Sequence, residues 1–247
     1  MQILIAGYGN TGKHIYSEFR KLEPDIYDPN LPEYSVRQHK QYEVAFICVP
    51  TDMMGDGGCD TSRVEQSVSE INAEIIVLKS TIPPGTTDRL IIQNRDKQIV
   101  VSPEHYSTVQ HCKSDLGFVI FGGDKRSCSK VAQLYYLVKN EHYKIHFTDT
   151  VTAELSKYML NSFLALKMTF CNEFAVLAEK FNVSYPELRE LFVADERVGA
   201  SHTFSDKDKA YDHRGLDKDI SALVKFSGNT VPLVETAYEL NSYKKFR

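Results

Sequence analysis

Lys157 and Asn161 stand four positions apart in a stretch that contains neither proline nor glycine. On a helix, that spacing puts both side chains on one face. An ammonium and a carboxamide side by side can hold an alcohol oxygen while a hydride leaves its carbon, and can stabilise the negative charge that develops there. A carboxylate such as Asp219 or Glu104 can take the hydroxyl proton, directly or through water. A second constellation opens the chain. Gly7-Tyr8-Gly9-Asn10-Thr11-Gly12 fits the G-x-G-x-x-G pattern, after an apolar run at residues 2–6 and before a helix-like stretch. Gly7 permits a tight turn, Gly9 lets the backbone approach a pyrophosphate, and Gly12 lets helix and strand pack closely. The first-turn N–H groups, from Asn10 and Thr11 onward, then face the phosphates with a favourable dipole. Asp28 follows Gly7 by 21 residues. A carboxylate there accepts the ribose hydroxyls and repels a 2′-phosphate, so the expected dinucleotide is NAD.

These groups need elements to position them. Short apolar runs at residues 2–6, 25–27, 44–49, 75–78, 99–101 and 118–121 read as strands. Helical patterns at 11–22, 62–71, 87–94 and 127–138 lie between most of them. Strands alternating with helices predict a parallel sheet covered on both faces. From Thr150 to Asn182 the apolar residues keep three- and four-residue spacing. That predicts one helix of roughly 30 residues, about 45 Å long at 1.5 Å rise per residue. Thr150 or Thr152 is the expected N-cap, with Glu154 in the first turn. Shorter helices are expected at 187–193 and 233–243, and residues 203–219 read as a polar loop. The domain division is expected at residues 1–149 and 150–247.

The chain has 247 residues, of which 42% are hydrophobic and 25% charged, with a formal net charge of -4. It carries no basic excess of the kind duplex nucleic acid requires. The five cysteines show no paired short spacing, which argues against a disulfide framework or a zinc site. Asp52, Asp56 and Asp60 are spaced like the start of a calcium loop but lack the glutamate at its twelfth position, so no metal is expected. No run is long and apolar enough for a membrane span, and the start lacks a signal-peptide pattern. The composition reads as a soluble protein of a reducing compartment, the cytoplasm.

Read together, CVPTD (48–52), LKSTIPPGTT (78–87), SPEHY (102–106), FGGD (121–124), AELSKYMLNSFLALKMTFCNEFA (153–175), DERVG (195–199) and DKD (217–219) resemble, in content and order, the UDP-glucose/GDP-mannose 6-dehydrogenase family. The long-helix segment is the most specific part. The resemblance implies a Rossmann-type α/β fold, doubly wound, followed by a long central helix and a small all-α domain. It also implies NAD-dependent oxidation of a nucleotide sugar such as UDP-glucose at its C6 alcohol, a place in polysaccharide biosynthesis, and a homodimer formed through the long helix. Thr51 and Thr81 match threonines that line the cofactor. Glu104 matches the glutamate beside the reacting sugar, Lys157 and Asn161 the Lys and Asn of the long helix, and Lys218-Asp219 the Lys-Asp pair that meets the substrate. The Lys-x-x-x-Asn arrangement is also similar to that of β-hydroxyacid dehydrogenases.

Three departures stand against the resemblance. Aligning on Lys218-Asp219 puts Gly215 where the family carries a cysteine nucleophile, and the family's paired glycines become Asp212 and His213. Without a thiol no thiohemiacetal forms, so efficient oxidation of the aldehyde to the acid is not expected. Thr108 stands where the family has an acidic residue. The length implies a chain without the family's C-terminal UDP-binding domain. Two alternatives therefore accompany the dehydrogenase reading. One is a catalytically inactive homologue that serves as a binding, regulatory or partner-dependent subunit. The other is a dehydrogenase of small hydroxyacids.

Overall fold

The computed structural model describes residues 2–36, 40–105, 117–205 and 215–245. Thr108, Asp212 and His213 lie outside them. The described residues pack as two compact units. The first holds all seven strands and the long helix as far as Lys157; the second holds that helix from Tyr158 onward, the later helices and the Gly55–Gly58 turn.

In the first unit the strands β1 (Ile3–Ala6), β2 (Asp25–Tyr27), β3 (Tyr42–Ile47), β4 (Ala73–Leu78), β5 (Gln98–Val101), β6 (Phe118–Gly122) and β7 (Lys144–Thr148) form one sheet in the order β2-β1-β3-β4-β5-β6-β7. The strands have no single polar face because both faces are covered. On one side Ile3, Ile5, Val44, Phe46 and Val77 pack against Ile15 and Phe19 of α1 (Asn10–Phe19) and Val131 and Tyr135 of α4 (Lys125–Val138). On the other side Leu4, Ala6, Ala45, Ile47 and Ile76 pack against Val64 and Val68 of α2 (Ser62–Glu70), Leu90 of α3 (Thr86–Gln93) and Ala153 of α5 (Thr150–Lys180). Neighbouring residues of one strand thus serve opposite cores, which is the doubly wound arrangement.

The pairing is parallel except between β5 and β6, which meet antiparallel at Val101 and Gly122. The expected parallel sheet is therefore mixed at that junction, and β7 is a strand the periodicity did not predict. β7 is an edge strand with no buried residue, in which Lys144 and His146 interrupt the apolar run. From β1 to β5 the carboxyl ends lie at one edge, and the strand order reverses between β1 and β3. That reversal is the switch point at which open α/β sheets bind ligands.

The helix α5 has the expected length, 31 residues. Its N-cap is corrected. Asp149 Oδ1 accepts from the Thr152 N–H at 2.8 Å and Asp149 Oδ2 from the Thr152 hydroxyl at 2.6 Å, so Thr150 and Thr152 lie inside the helix. Among the described residues no helix is long and apolar enough to cross a membrane.

In the second unit α6 (Tyr185–Val193), α7 (Leu216–Ser227) and α8 (Pro232–Lys245) accompany the rest of α5. Ala165 and Met168 of α5 pack on Leu216 and Ile220 of α7, with Val234 and Tyr238 of α8 beside them. The expected loop over 203–219 is wrong at its end, where residues 216–219 form the first turn of α7. Asp217 and Asp219 made that turn look loop-like, yet carboxylates in a first helical turn complement the dipole.

Candidate active site

The switch point is built from the glycine turn. Gly7 follows β1 with φ +90°, and a Cβ there would stand 2.8 Å from the backbone carbonyl of Cys48 at the end of β3. A Cβ on Gly12 would lie 1.9 Å from the Gly7 oxygen, so any side chain would push α1 off the turn. A Cβ on Gly9 would meet nothing within 4 Å. Gly9 caps α1 with no side-chain hydrogen bond, and no acidic residue sits in the first turn with Asn10, Thr11 and Gly12. This is a backbone cradle with unfilled donors, suited to a diphosphate. Asp28, just past β2, accepts from the Tyr8 N–H at 2.7 Å through Oδ2 and from the Asn30 N–H at 3.0 Å through Oδ1. Oδ1 also receives the Asn30 side-chain amide at 3.3 Å, while Oδ2, with one donor, has a further lone pair for a ribose hydroxyl. The residues present therefore fit NAD.

The loops after β3 and β4 flank the turn and are tied to each other. The Thr51 hydroxyl donates to the Thr81 carbonyl at 2.9 Å, and the Ser80 hydroxyl to the Val49 carbonyl at 2.6 Å. The IPPGTT stretch ends where α3 begins, and its N-cap is Gly85, which has no cap of its own. Glu154, one turn into α5, supplies the acceptor. Its carboxylate receives the Gly85 N–H at 2.6 Å, the Thr87 N–H at 2.8 Å and the Thr87 hydroxyl at 2.6 Å. Burial raises the affinity of Glu154 for its proton, and these donors act against that rise. Sequence reasoning missed this role, although a lone carboxylate in the apolar run TVTAELSKYML was a signal.

At the end of β5, Glu104 lies 3.3 Å from the Lys79 ammonium and 3.9 Å from the His14 imidazole. Lys79 is buried at the end of β4 and also donates to the Ser102 hydroxyl at 3.1 Å. Lys79 is a second residue that sequence reasoning missed; its signal was a cation directly after the apolar strand AEIIVL. His105 has its pKa lowered to about 4, first by burial, then by the positive charges of Lys157 and Lys79.

In the second unit the Asn161 amide donates from Nδ2 to Asp219 Oδ2 at 2.7 Å, and both residues are buried. Asp219 Oδ1 takes the Lys218 ammonium at 2.6 Å. The structure thus brings together Asn161, Asp219 and Lys218 in one unit, and Glu104 with Lys79 in the other. Lys157 is the last residue of α5 in the first unit. Gly215 precedes α7 with φ +121°. Of the four described cysteines, Cys48, Cys128 and Cys171 are buried. Burial pushes the Cys48 thiol upward and the Cys128 thiol to about 11, so neither is an activated nucleophile. Among the described residues no cluster of His, Cys, Asp or Glu could hold a metal.

A doubly wound sheet with a glycine cradle at its switch point defines a dinucleotide-binding fold. A family model described as the UDP-glucose/GDP-mannose dehydrogenase family, NAD binding domain, matches residues 30–138. The central-domain model of the same family matches residues 151–243. The chain belongs to the UDP-glucose/GDP-mannose dehydrogenase family, and its cofactor is NAD. It is 33% identical over 223 residues to a UDP-glucose 6-dehydrogenase of Rhizobium meliloti, covering 82% of this chain and 51% of that protein. The chain spans about half the length of the curated relatives it matches. Among solved structures it shares its fold with a UDP-glucose dehydrogenase from Pyrobaculum islandicum (TM-score 0.80, 22% identity, 98% of this chain and 68% of that one). It also shares it with a UDP-D-ManNAc dehydrogenase from Pyrococcus horikoshii (TM-score 0.81, 22% identity, 99% of this chain and 69% of that one).

Proposed function

We propose that this chain oxidises the C6 alcohol of a nucleotide sugar, UDP-glucose or a related one, to the aldehyde. The buried 2.7 Å hydrogen bond between Asn161 and Asp219 carries this reading. A surface amide needs no such partner, whereas an amide that must hold an alcohol oxygen has to be fixed. In this reading Lys157 and Asn161 grip the oxygen from one face of α5. Asp219 orients Asn161, and Lys218 meets the substrate. The hydroxyl proton goes to a carboxylate, Asp219 or Glu104, directly or through water. Thr51, Thr81, Asp28 and the glycine turn hold the cofactor. The chemistry NAD supplies when bound is acceptance of the hydride from the alcohol carbon, so each alcohol yields one aldehyde, one NADH and one proton.

Gly215 in place of a thiol leaves no group to form the adduct that a second oxidation requires. The expected stoichiometry is thus one NADH per sugar. We take residues 1–149 as the NAD-binding part and 150–247 as the helical part. The test is NADH formation by absorbance with UDP-glucose and related nucleotide sugars, wild type against Lys157→Ala. Formation of one equivalent by wild type, with a fall of roughly 10²-fold or more in the variant, supports the reading. No NADH from any nucleotide sugar overturns it.

Gly215 also favours a second reading, a chain that serves as a binding, regulatory or partner-dependent subunit without turnover. Tight NAD binding with no NADH formation would favour that one.

A further inference from the structure

Glu104 sits in a line of alternating charge on the first unit. One end of the line is Lys79, whose side chain is only 2% exposed. A buried ammonium is costly unless it is paired, and its partner is then held ionised by the same attraction. Lys79 meets Glu104 twice: Nζ lies 3.3 Å from Oε2, and its backbone carbonyl accepts from the Glu104 N–H at 3.4 Å. The Ser102 hydroxyl, 3.1 Å from the same ammonium, fixes its third dimension. The other oxygen of Glu104 faces His14 of α1 at 3.9 Å. His14 in turn lies 3.4 Å from Glu18, and Glu18 is 2.5 Å from Lys139 at the end of α4. Cys48 at the end of β3 and Tyr135 of α4 also feel the Glu104 charge, and Lys157 and Lys79 act on the neighbouring His105. Of these groups, the one closest to the Glu104 carboxylate is the Lys79 ammonium.

We propose that Lys79 is a positioning residue of the site: it holds the Glu104 carboxylate in its ionised form and pins its Oε2. This rests on the dehydrogenase reading for its consequence, but the coupling itself does not. Glu104 then serves as a fixed acceptor at and below neutral pH. Removal of Lys79 takes away the ammonium 3.3 Å from Oε2, and the carboxyl then takes up its proton at a higher pH.

The experiment follows the Glu104 carboxyl ¹³C resonance, assigned by its loss in Glu104→Gln, as pH is varied in the full chain. The chains compared are wild type, Lys79→Met and Ser102→Ala. Lys79→Met keeps an unbranched side chain without the charge and should move the midpoint upward by about 1–3 pH units. Ser102→Ala frees the ammonium and should move it in the same direction by less. If Lys79→Met fails to fold, Ser102→Ala decides alone. Unmoved midpoints overturn the proposal whether or not the protein turns over. With turnover, the acidic limb of the kcat profile of Lys79→Met should move up together with the resonance, and Lys79→Met/Glu104→Gln should be no slower than Glu104→Gln alone. Multiplicative losses in the double variant, or a loss of rate with an unmoved pH profile, would show that Lys79 acts otherwise. Absence of NADH in wild type removes the dehydrogenase reading and leaves the resonance as the sole judge of the Lys79–Glu104 coupling.

Discussion

Both oxygens of the Asp219 carboxylate are engaged, one by the Asn161 amide and the other by the Lys218 ammonium. Truncating Asp219 strands a buried amide donor, and such a loss costs about 1–3 kcal/mol. Asp219→Ala is therefore expected to lower the urea midpoint, and to lower NADH formation by roughly 10²–10⁴-fold if the carboxylate also accepts the proton. An unchanged denaturation curve would show that the bond does not hold in solution. His105 offers a second residue-level test. Its folded pKa, about 4, lies below the ordinary histidine value, so the unfolded chain binds a proton that the folded chain refuses. Its contribution to stability is complete above roughly pH 6.5 and is lost as the pH falls toward about 4. His105→Gln should flatten the acid side of the stability profile between these values, and the His105 Cε1 proton in wild type should titrate near the lower one. The glycine turn, Asp28 and the Lys157/Asn161 spacing were legible because each is a local pattern of residue types. Lys79 and Asp149 were not singled out: their partners, Glu104 and Thr152, became informative only once the ends of β4 and α5 were fixed.

Among the elements, α1 to α4 and six of the seven strands follow from apolar periodicity, with ends displaced by at most three residues. The antiparallel β5–β6 pair could not be read that way, since the direction of pairing depends on partners distant in the chain and not on the strand's own residues. β7 escaped because an edge strand tolerates charge, and α7 because its first turn is acidic. The start of α3 is an element whose stability depends on another element. Glu154→Ala removes the acceptor for three donors of Gly85 and Thr87, and charged hydrogen bonds of this kind contribute about 1.5–3 kcal/mol each before desolvation is charged against them. Amide exchange at Gly85 and Thr87 should accelerate in this variant ahead of exchange at Val77 in β4. Equal acceleration throughout would mean a global loss of stability, not a lost cap. Glu154→Gln should be intermediate, because an amide oxygen still accepts but carries no charge.

At the scale of the whole molecule, α5 is apolar around much of its circumference, and part of that surface remains open. Leu155, Met159, Phe163, Phe170 and Phe174 are all exposed, Met159 at 77%. Their spacing of four or seven residues makes a seam along the helix, of the kind that a second helix covers. We expect a homodimer through this seam. Light scattering at micromolar concentration should give twice the chain mass, and Phe163→Glu, which places a charge in the seam, should shift the distribution to monomer. A wild-type monomer under those conditions would count against the dimer.

The carboxylate at 154 has a mechanical consequence. It is anchored on the turn that follows Thr81, and Lys157 stands one helical turn further along the same rod. A rotation of that rod about its long axis would swing the lysine and drag the threonine turn together. Drift at either end is therefore resisted by the other, and a change in one calls for a matching change in its counterpart.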